Sequence, residues 1–210
     1  MIISILGAGS VGGTLGQAWA RAGYNVFFGV RKPNDPKIAE LLKTIGGKAR
    51  AGTVAEASKA GDVIVLATPW PATQDAIDAC GDLSGKIVVD CTNPLKADLS
   101  GLTIGLTASA GEQVAQWARG AKVFKAFNQT GANNMANPVF KGQRSVMFVC
   151  GDDAVNKPIV LKLASDIGFE AIDAGGLAIS RLLEPVAMLW IHLAYAQGMG
   201  REFGFGVLRR

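Results

Sequence analysis

Apolar positions along the chain follow two alternating habits. Short apolar runs rich in Val and Ile, closed by Gly, Asp or Lys, give way to stretches in which apolar residues return every third or fourth position. The first habit fits strands covered on both faces, and the second fits amphipathic helices. Strands are therefore expected at 3–6, 25–30, 62–67, 86–91, 122–127, 144–150 and 169–173. Helices are expected at 14–22, 36–45, 53–60, 71–80, 111–119, 152–167 and 177–197. Local punctuation agrees: Pro36 opens one helix and Gly46-Gly47 closes it, and Thr53 with Glu56 forms a capping-box pattern. Residues 92–108 read as irregular, a loop long enough to serve a function.

The first strand runs straight into Gly7-Ala8-Gly9-Ser10-Val11-Gly12, and a helix pattern follows at once. Strand, glycine turn and helix together are the context a bare GxGxxG lacks. Gly7 permits the tight turn, Gly9 lets a pyrophosphate approach the backbone, and Gly12 lets helix pack on strand. The amides and positive dipole end of the helix then face the phosphates. The expected fold is α/β: a Rossmann-type, doubly wound, mostly parallel sheet with a small C-terminal helical portion. A convenient division puts the dinucleotide-binding domain at 1–120, and the sheet extension with an acceptor pocket at 121–210.

Composition narrows the function classes. A chain of 210 residues buries roughly 70 % of its unfolded surface and needs no disulfide or metal to fold. Cys80, Cys91 and Cys150 are an odd number without a CxxC, which predicts buried thiols and no metal site. Net charge is +4, but Lys and Arg are scattered, so no nucleic-acid surface is expected. The apolar stretch 185–196 contains His192 and reads as too short for a bilayer; with a strand starting at residue 2, a cytoplasmic protein with no membrane partner is the expectation.

The end of the second strand selects the nucleotide. An NAD-binding unit places a carboxylate there to receive the ribose hydroxyls. Here Val30-Arg31-Lys32 stand at that point, and two cations suit the 2′-phosphate of NADP. Ligands of such sheets sit outside the carboxyl ends of the strands, which selects Thr68-Pro69-Trp70-Pro71, Thr92-Asn93-Pro94-Leu95 and Asn128 to Ala132. Trp70 has packing as an equal alternative. Acid–base candidates are few: His192 reads as a core or interface residue, and Lys125, Asp173 and Glu184 are weakly supported bases. That poverty suits hydride exchange between two organic rings, for which no catalytic side chain is expected beyond those that position the rings. Phe127, Met188, Trp190 and Phe203 are candidates for the apolar pocket. An imine or 3-hydroxy-acid reductase and a non-catalytic NADP-binding redox sensor are the rival readings.

Several segments together carry a resemblance. The glycine turn, Gly29-Val30-Arg31-Lys32, Ala67-Thr68-Pro69-Trp70, Cys150-Gly151-Asp152-Asp153, and Asp173 to Leu177 followed by Ser180 to Glu184 resemble the coenzyme F420-dependent NADP oxidoreductase family. They are also similar to the cytosolic NADPH-binding domain of six-transmembrane metalloreductases. The resemblance implies NADP on a Rossmann domain and a C-terminal pocket for a deazaflavin or flavin acceptor, in a homodimer. It also implies that Ser10, Val11 and Gly12 meet the pyrophosphate, that Arg31 meets the 2′-phosphate, and that Thr68, Pro69, Asn93, Pro94 and Ala132 line the nicotinamide side. Val30 departs from the small hydroxyl residue of the archaeal enzymes, and the loop 90–95 differs from theirs.

Overall fold

The computed structural model describes residues 1–210. Its first half comprises β1 (Ile2–Leu6), α1 (Ser10–Arg21), β2 (Asn25–Gly29), α2 (Pro36–Ile45), β3 (Ala49–Gly52), α3 (Val54–Ala60), β4 (Val63–Leu66), α4 (Thr73–Asp78), β5 (Ile87–Asp90) and α5 (Ala110–Trp117). The second half adds β6 (Lys122–Lys125), α6 (Ala132–Ala136), β7 (Val139–Phe140), β8 (Gln143–Arg144), β9 (Val146–Gly151), α7 (Lys157–Asp166), β10 (Glu170–Gly175) and α8 (Ser180–Ile191).

One eight-stranded sheet runs β10-β9-β6-β5-β4-β1-β2-β3. From β3 to β6 every pairing is parallel, in the order of a dinucleotide-binding sheet. Only the β6–β9 pairing is antiparallel, and β10 pairs in parallel with β9, so these two strands run against the other six. Alternation along each strand splits the core into two layers. Ile3, Ile5, Val63 and Val65 face Leu15, Trp19, Phe127 and Phe169 on one side. Leu6, Ile64, Leu66 and Val88 face Val114 and Leu177 on the other.

The register aligns the strand ends. Gly29 pairs with Leu6, Leu6 with Leu66, Leu66 with Asp90, and Asp90 with Lys125. Five loops therefore leave the sheet from one edge.

Several expected elements shift. The strand expected at 122–127 stops at Lys125, because Phe127 turns into the left-handed region at φ 57°. The strand expected at 144–150 is found as β9, starting two residues later at Val146, because Arg144 pairs instead with Val139 in a short β7–β8 hairpin that was not expected. The helix expected from 152 begins at Lys157, after an Asp153 turn whose carboxylate accepts from the Asn156 amide. The edge strand β3 and the five-residue α6 were not expected.

The last helix is also longer than the apolar stretch suggested. A 3-10 turn at Leu177–Ile179, α8 and a π-helical turn at His192–Ala196 form one continuous rod. Leu177–Ala196 is long and apolar enough to cross a membrane by length and composition. Leu183, Glu184, Ala187 and Trp190 on it are buried within the protein, the pattern of a helix that closes a core.

Candidate functional site

The glycine turn is built as the cofactor reading requires. Gly7 has φ 101°, and a Cβ there would lie 2.7 Å from the Ala67 carbonyl oxygen. A Cβ on Gly12 would lie 2.1 Å from the Gly7 carbonyl oxygen, so helix and turn touch backbone to backbone. Beside Gly9 the space is open, with nothing within 4 Å of a Cβ position. No side chain caps α1, its first turn holds no acidic residue, and its first backbone bond runs from Gly13 to Gly9. The amides of Ser10, Val11 and Gly12 thus belong to the unpaired first turn of a helix, the arrangement that binds phosphate. The residues present fit a dinucleotide pyrophosphate.

At the end of β2, Val30 is half-buried and its amide donates to the Gly52 carbonyl at 3.0 Å. Arg31 and Lys32 beyond it are exposed, and neither forms a salt bridge. On the other side, Thr68 follows the β4 end and shares a 2.9 Å hydrogen bond with Thr73. Pro69 is exposed, whereas Trp70 stacks on Trp117 with ring centroids 5.2 Å apart. This stack gives Trp70 a packing role, and the side chain remains half-buried beside Pro69.

The ends of β5 and β6 carry a buried ionic cluster. Lys125 Nζ donates to Asp90 Oδ2 at 2.8 Å and to the Thr92 carbonyl at 2.7 Å, and it lies 2.8 Å from Glu184 Oε1. These three side chains are 0 %, 0 % and 1 % exposed for Lys125, Asp90 and Glu184. Glu184 also accepts from the Ala110 and Gly111 amides at 3.0 Å, at the start of α5. Asp90 accepts from the Thr92 amide and hydroxyl at 2.8 and 2.7 Å. Burial alone would lower the Lys125 ammonium, but the Asp90 and Glu184 carboxylates outweigh it and hold it above the usual lysine range. Lys125 therefore stays charged.

This cluster fixes the loops above it. Asn93 Nδ2 donates to the Asn128 carbonyl at 2.8 Å, and Asn128 Nδ2 donates to Asn93 Oδ1 at 3.0 Å and to the Leu183 carbonyl of α8 at 3.2 Å. The left-handed Phe127 delivers Asn128 to this position. Phe127 is fully buried, packed edge-on against Trp19 at 5.4 Å, and a bulky residue held at positive φ marks a position the surroundings over-determine. Ala132 opens α6, which packs on α1, so the glycine turn and the Asn93 side meet across one edge.

Next to it opens a cleft of about 520 Å³ between the loop after Pro94 and α8. The Thr103 amide and hydroxyl both bond the Pro94 carbonyl, which anchors the loop wall. Leu102, Ile104, Pro185, Met188, Leu189 and His192 line the cleft. Of the four residues expected in an apolar pocket, only Met188 lies here. Phe127 belongs to the core, and Trp190 stacks on Phe203 of the C-terminal tail at 5.3 Å. His192 is not a core residue: it is exposed on the cleft rim and bonds Gln197 at 3.2 Å, which leaves the interface alternative open.

The acid–base candidates resolve as structural groups. Lys125 and Glu184 are consumed by the cluster, and Asp173 pairs with Lys157 and accepts from the Gly175 amide, each at 2.8 Å. Asp90, Thr92 and Glu184 as a unit with Lys125 escaped sequence reasoning. The available signal was that two apolar strands end on opposite charges, Val88-Val89-Asp90 and Val123-Phe124-Lys125.

Comparison with known proteins bears on the family and the fold. The family model described as NADP oxidoreductase coenzyme F420-dependent matches residues 2–94. The F420-dependent NADP reductase of Methanocaldococcus jannaschii is 33% identical over 168 residues, 75% of this chain and 74% of that protein. A crystal structure from Arthrobacter sp. FB24, named as a candidate F420-dependent NADP-reductase, superposes with a TM-score of 0.88 at 31% identity, covering 99% of both chains. Rat metalloreductase STEAP3 is 28% identical over 186 residues, which cover 89% of this chain and 36% of that protein. This chain is a member of the coenzyme F420-dependent family of NADP oxidoreductases.

Proposed function

We propose that this protein passes hydride between NADPH and a deazaflavin such as coenzyme F420, or a flavin-like ring, held in the cleft against α8. The observation that supports this reading is the cleft of about 520 Å³ between residues 100–106 and α8, largely apolar, whose Thr103 wall is bonded to the Pro94 carbonyl. NADPH supplies the hydride from its nicotinamide ring. The chain's own residues bind, orient and exclude water. Ser10, Val11 and Gly12 amides hold the pyrophosphate, and Arg31 with Lys32 neutralises the 2′-phosphate beside Val30. Thr68, Pro69, Asn93, Pro94 and Ala132 set the nicotinamide face, with Asn93 locked by Asn128. Two aligned rings need no side-chain acid, and the buried Lys125, Asp90 and Glu184 are already fully bonded.

Rapid mixing of NADPH-loaded protein with coenzyme F420, FMN, FAD and ferric chelates tests the reading. Loss of NADPH absorbance, fastest with the deazaflavin, is expected. No oxidation with any acceptor would overturn it.

One observation favours a second reading, reduction of a small imine or keto acid: His192 stands on the cleft rim where it can give a proton. Under the first reading His192→Ala alters at most the KM for the acceptor and leaves kcat in place. Under the second it removes most of it. We further propose a homodimer through α8, whose Leu182 and Leu189 are 62% and 50% exposed; light scattering that finds only monomer would exclude it.

A further inference from the structure

Asp90, Lys125 and Glu184 form a fully buried ionic cluster, and the proposed hydride transfer gives it no chemical task. It sets two carboxylates against one ammonium, an excess of one negative charge. Its members are withdrawn from water, so their field is weakly screened in the layer directly above. The start of α5 donates two amide bonds to Glu184 and brings about half a positive charge, which reduces the excess without cancelling it. The neighbouring Glu112 and Arg181 are paired and partly exposed, and together they add no net charge. Asp90 and Lys125 are the last residues of β5 and β6, at the edge where this topology seats the redox-active end of a dinucleotide. That ring is a cation when oxidised and neutral when reduced.

We infer that Asp90, Lys125 and Glu184 hold a fixed negative charge beneath the nicotinamide subsite, which favours NADP⁺ over NADPH and so makes bound NADPH a stronger hydride donor. The inference rests on the NADP reading above. In the transfer the nicotinamide C–H bond breaks, both electrons leave with the hydride, and the ring becomes a cation. The acceptor forms a new C–H bond or N–H bond with that hydride and takes a proton from solvent. The trio exchanges neither proton nor electron and acts through its charge. By thermodynamic linkage, the factor by which it tightens the oxidised over the reduced cofactor is the factor by which it shifts the hydride equilibrium on the protein.

Calorimetric dissociation constants for NADP⁺ and NADPH, measured on the full chain and four variants, test this. Glu184→Gln and Asp90→Asn each remove one negative charge. Lys125→Met removes the positive charge, and the double variant Lys125→Met/Glu184→Gln restores the original sum while leaving the network broken. The NADP⁺-to-NADPH ratio of dissociation constants should rise about fivefold in either neutralised variant, fall by a similar factor in Lys125→Met, and return to within about twofold of the parent in the double variant. Should Lys125→Met not fold, the neutralised variants and the double variant carry the same comparison.

A purely structural cluster would weaken both redox forms together. A ratio that stays constant, or that moves the same way in every variant including the double, overturns the inference. Failure of the parent chain to bind either nucleotide is a different result and overturns the NADP reading itself.

Discussion

The two ends of the dinucleotide edge handle charge in opposite ways. At the β2 end, Arg31 and Lys32 stand in water without an acidic partner, free to meet an anion. At the β5–β6 end, Asp90, Lys125 and Glu184 are sealed from water and bonded to each other and to the backbone. An exposed cation costs the fold almost nothing and gains its value from the ligand. A buried ion has already given up its hydration, so its partners must be present whether or not a ligand is. The difference implies that substitutions at the first end change affinity alone, whereas those at the second end change stability first.

The largest expected effect breaks the buried end. Lys125→Ala should lower unfolding free energy by about 3–5 kcal/mol, because two carboxylates lose their shared ammonium. Urea midpoints measure it, and a loss under 1 kcal/mol would show that the cluster is not the structural tie described here. Next comes Gly12→Ala, whose added Cβ would sit 2.1 Å from the Gly7 carbonyl oxygen. Displacing α1 from the turn should cost about 1–3 kcal/mol and remove measurable NADPH binding, since the phosphate-facing amides move with the helix.

At the exposed end, Arg31→Ala should leave stability within about 0.5 kcal/mol of the parent. It should weaken NADPH about tenfold to hundredfold, leave NADH unchanged, and flatten the salt dependence of binding. Equal losses for NADPH and NADH would place the 2′-phosphate elsewhere.

The smallest effect provides a control away from both ends. The Tyr24 hydroxyl, near the far end of α1, donates to Asp166 of α7. Burial first, and then Asp166, pushes its pKa from 10.0 up to about 12. A raised folded-state value means that this contribution is fully present below the unfolded pKa of 10.0 and is lost as pH rises through about 12. Tyr24→Phe should therefore shift the alkaline limb of a stability profile and leave nucleotide affinity untouched.

Legibility in the sequence followed the same division. The glycine turn was legible because strand, turn and helix are contiguous, and the exposed position of Arg31 just past β2 because it lies a short, countable distance beyond that motif. β3 escaped because Ala49-Arg50-Ala51-Gly52 has no β-branched residue and forms an edge strand through pairing with β2 alone. α6 escaped because five residues centred on Asn133-Asn134 have little helical preference and are held by α1 and by the tail, whose Phe203 carbonyl accepts from Asn134 at 2.7 Å. The ionic cluster was the least legible feature. Its members come from β5, β6 and α8, and nothing local relates them. Lys125 and Glu184, read singly, resembled bases, and only the register that sets Asp90 beside Lys125 shows them to be partners. The loop that walls the cleft was legible as the irregular stretch at 92–108, but its anchoring by Thr103 on Pro94, which makes it a wall, was not.

The most direct test of this division of labour is the pair of dissociation constants for NADP⁺ and NADPH on Arg31→Ala, set beside those on Glu184→Gln. The account predicts that Arg31→Ala weakens both redox forms by the same factor, because the 2′-phosphate is identical in each, whereas Glu184→Gln changes their ratio. A ratio that moves in Arg31→Ala and stays fixed in Glu184→Gln would contradict it.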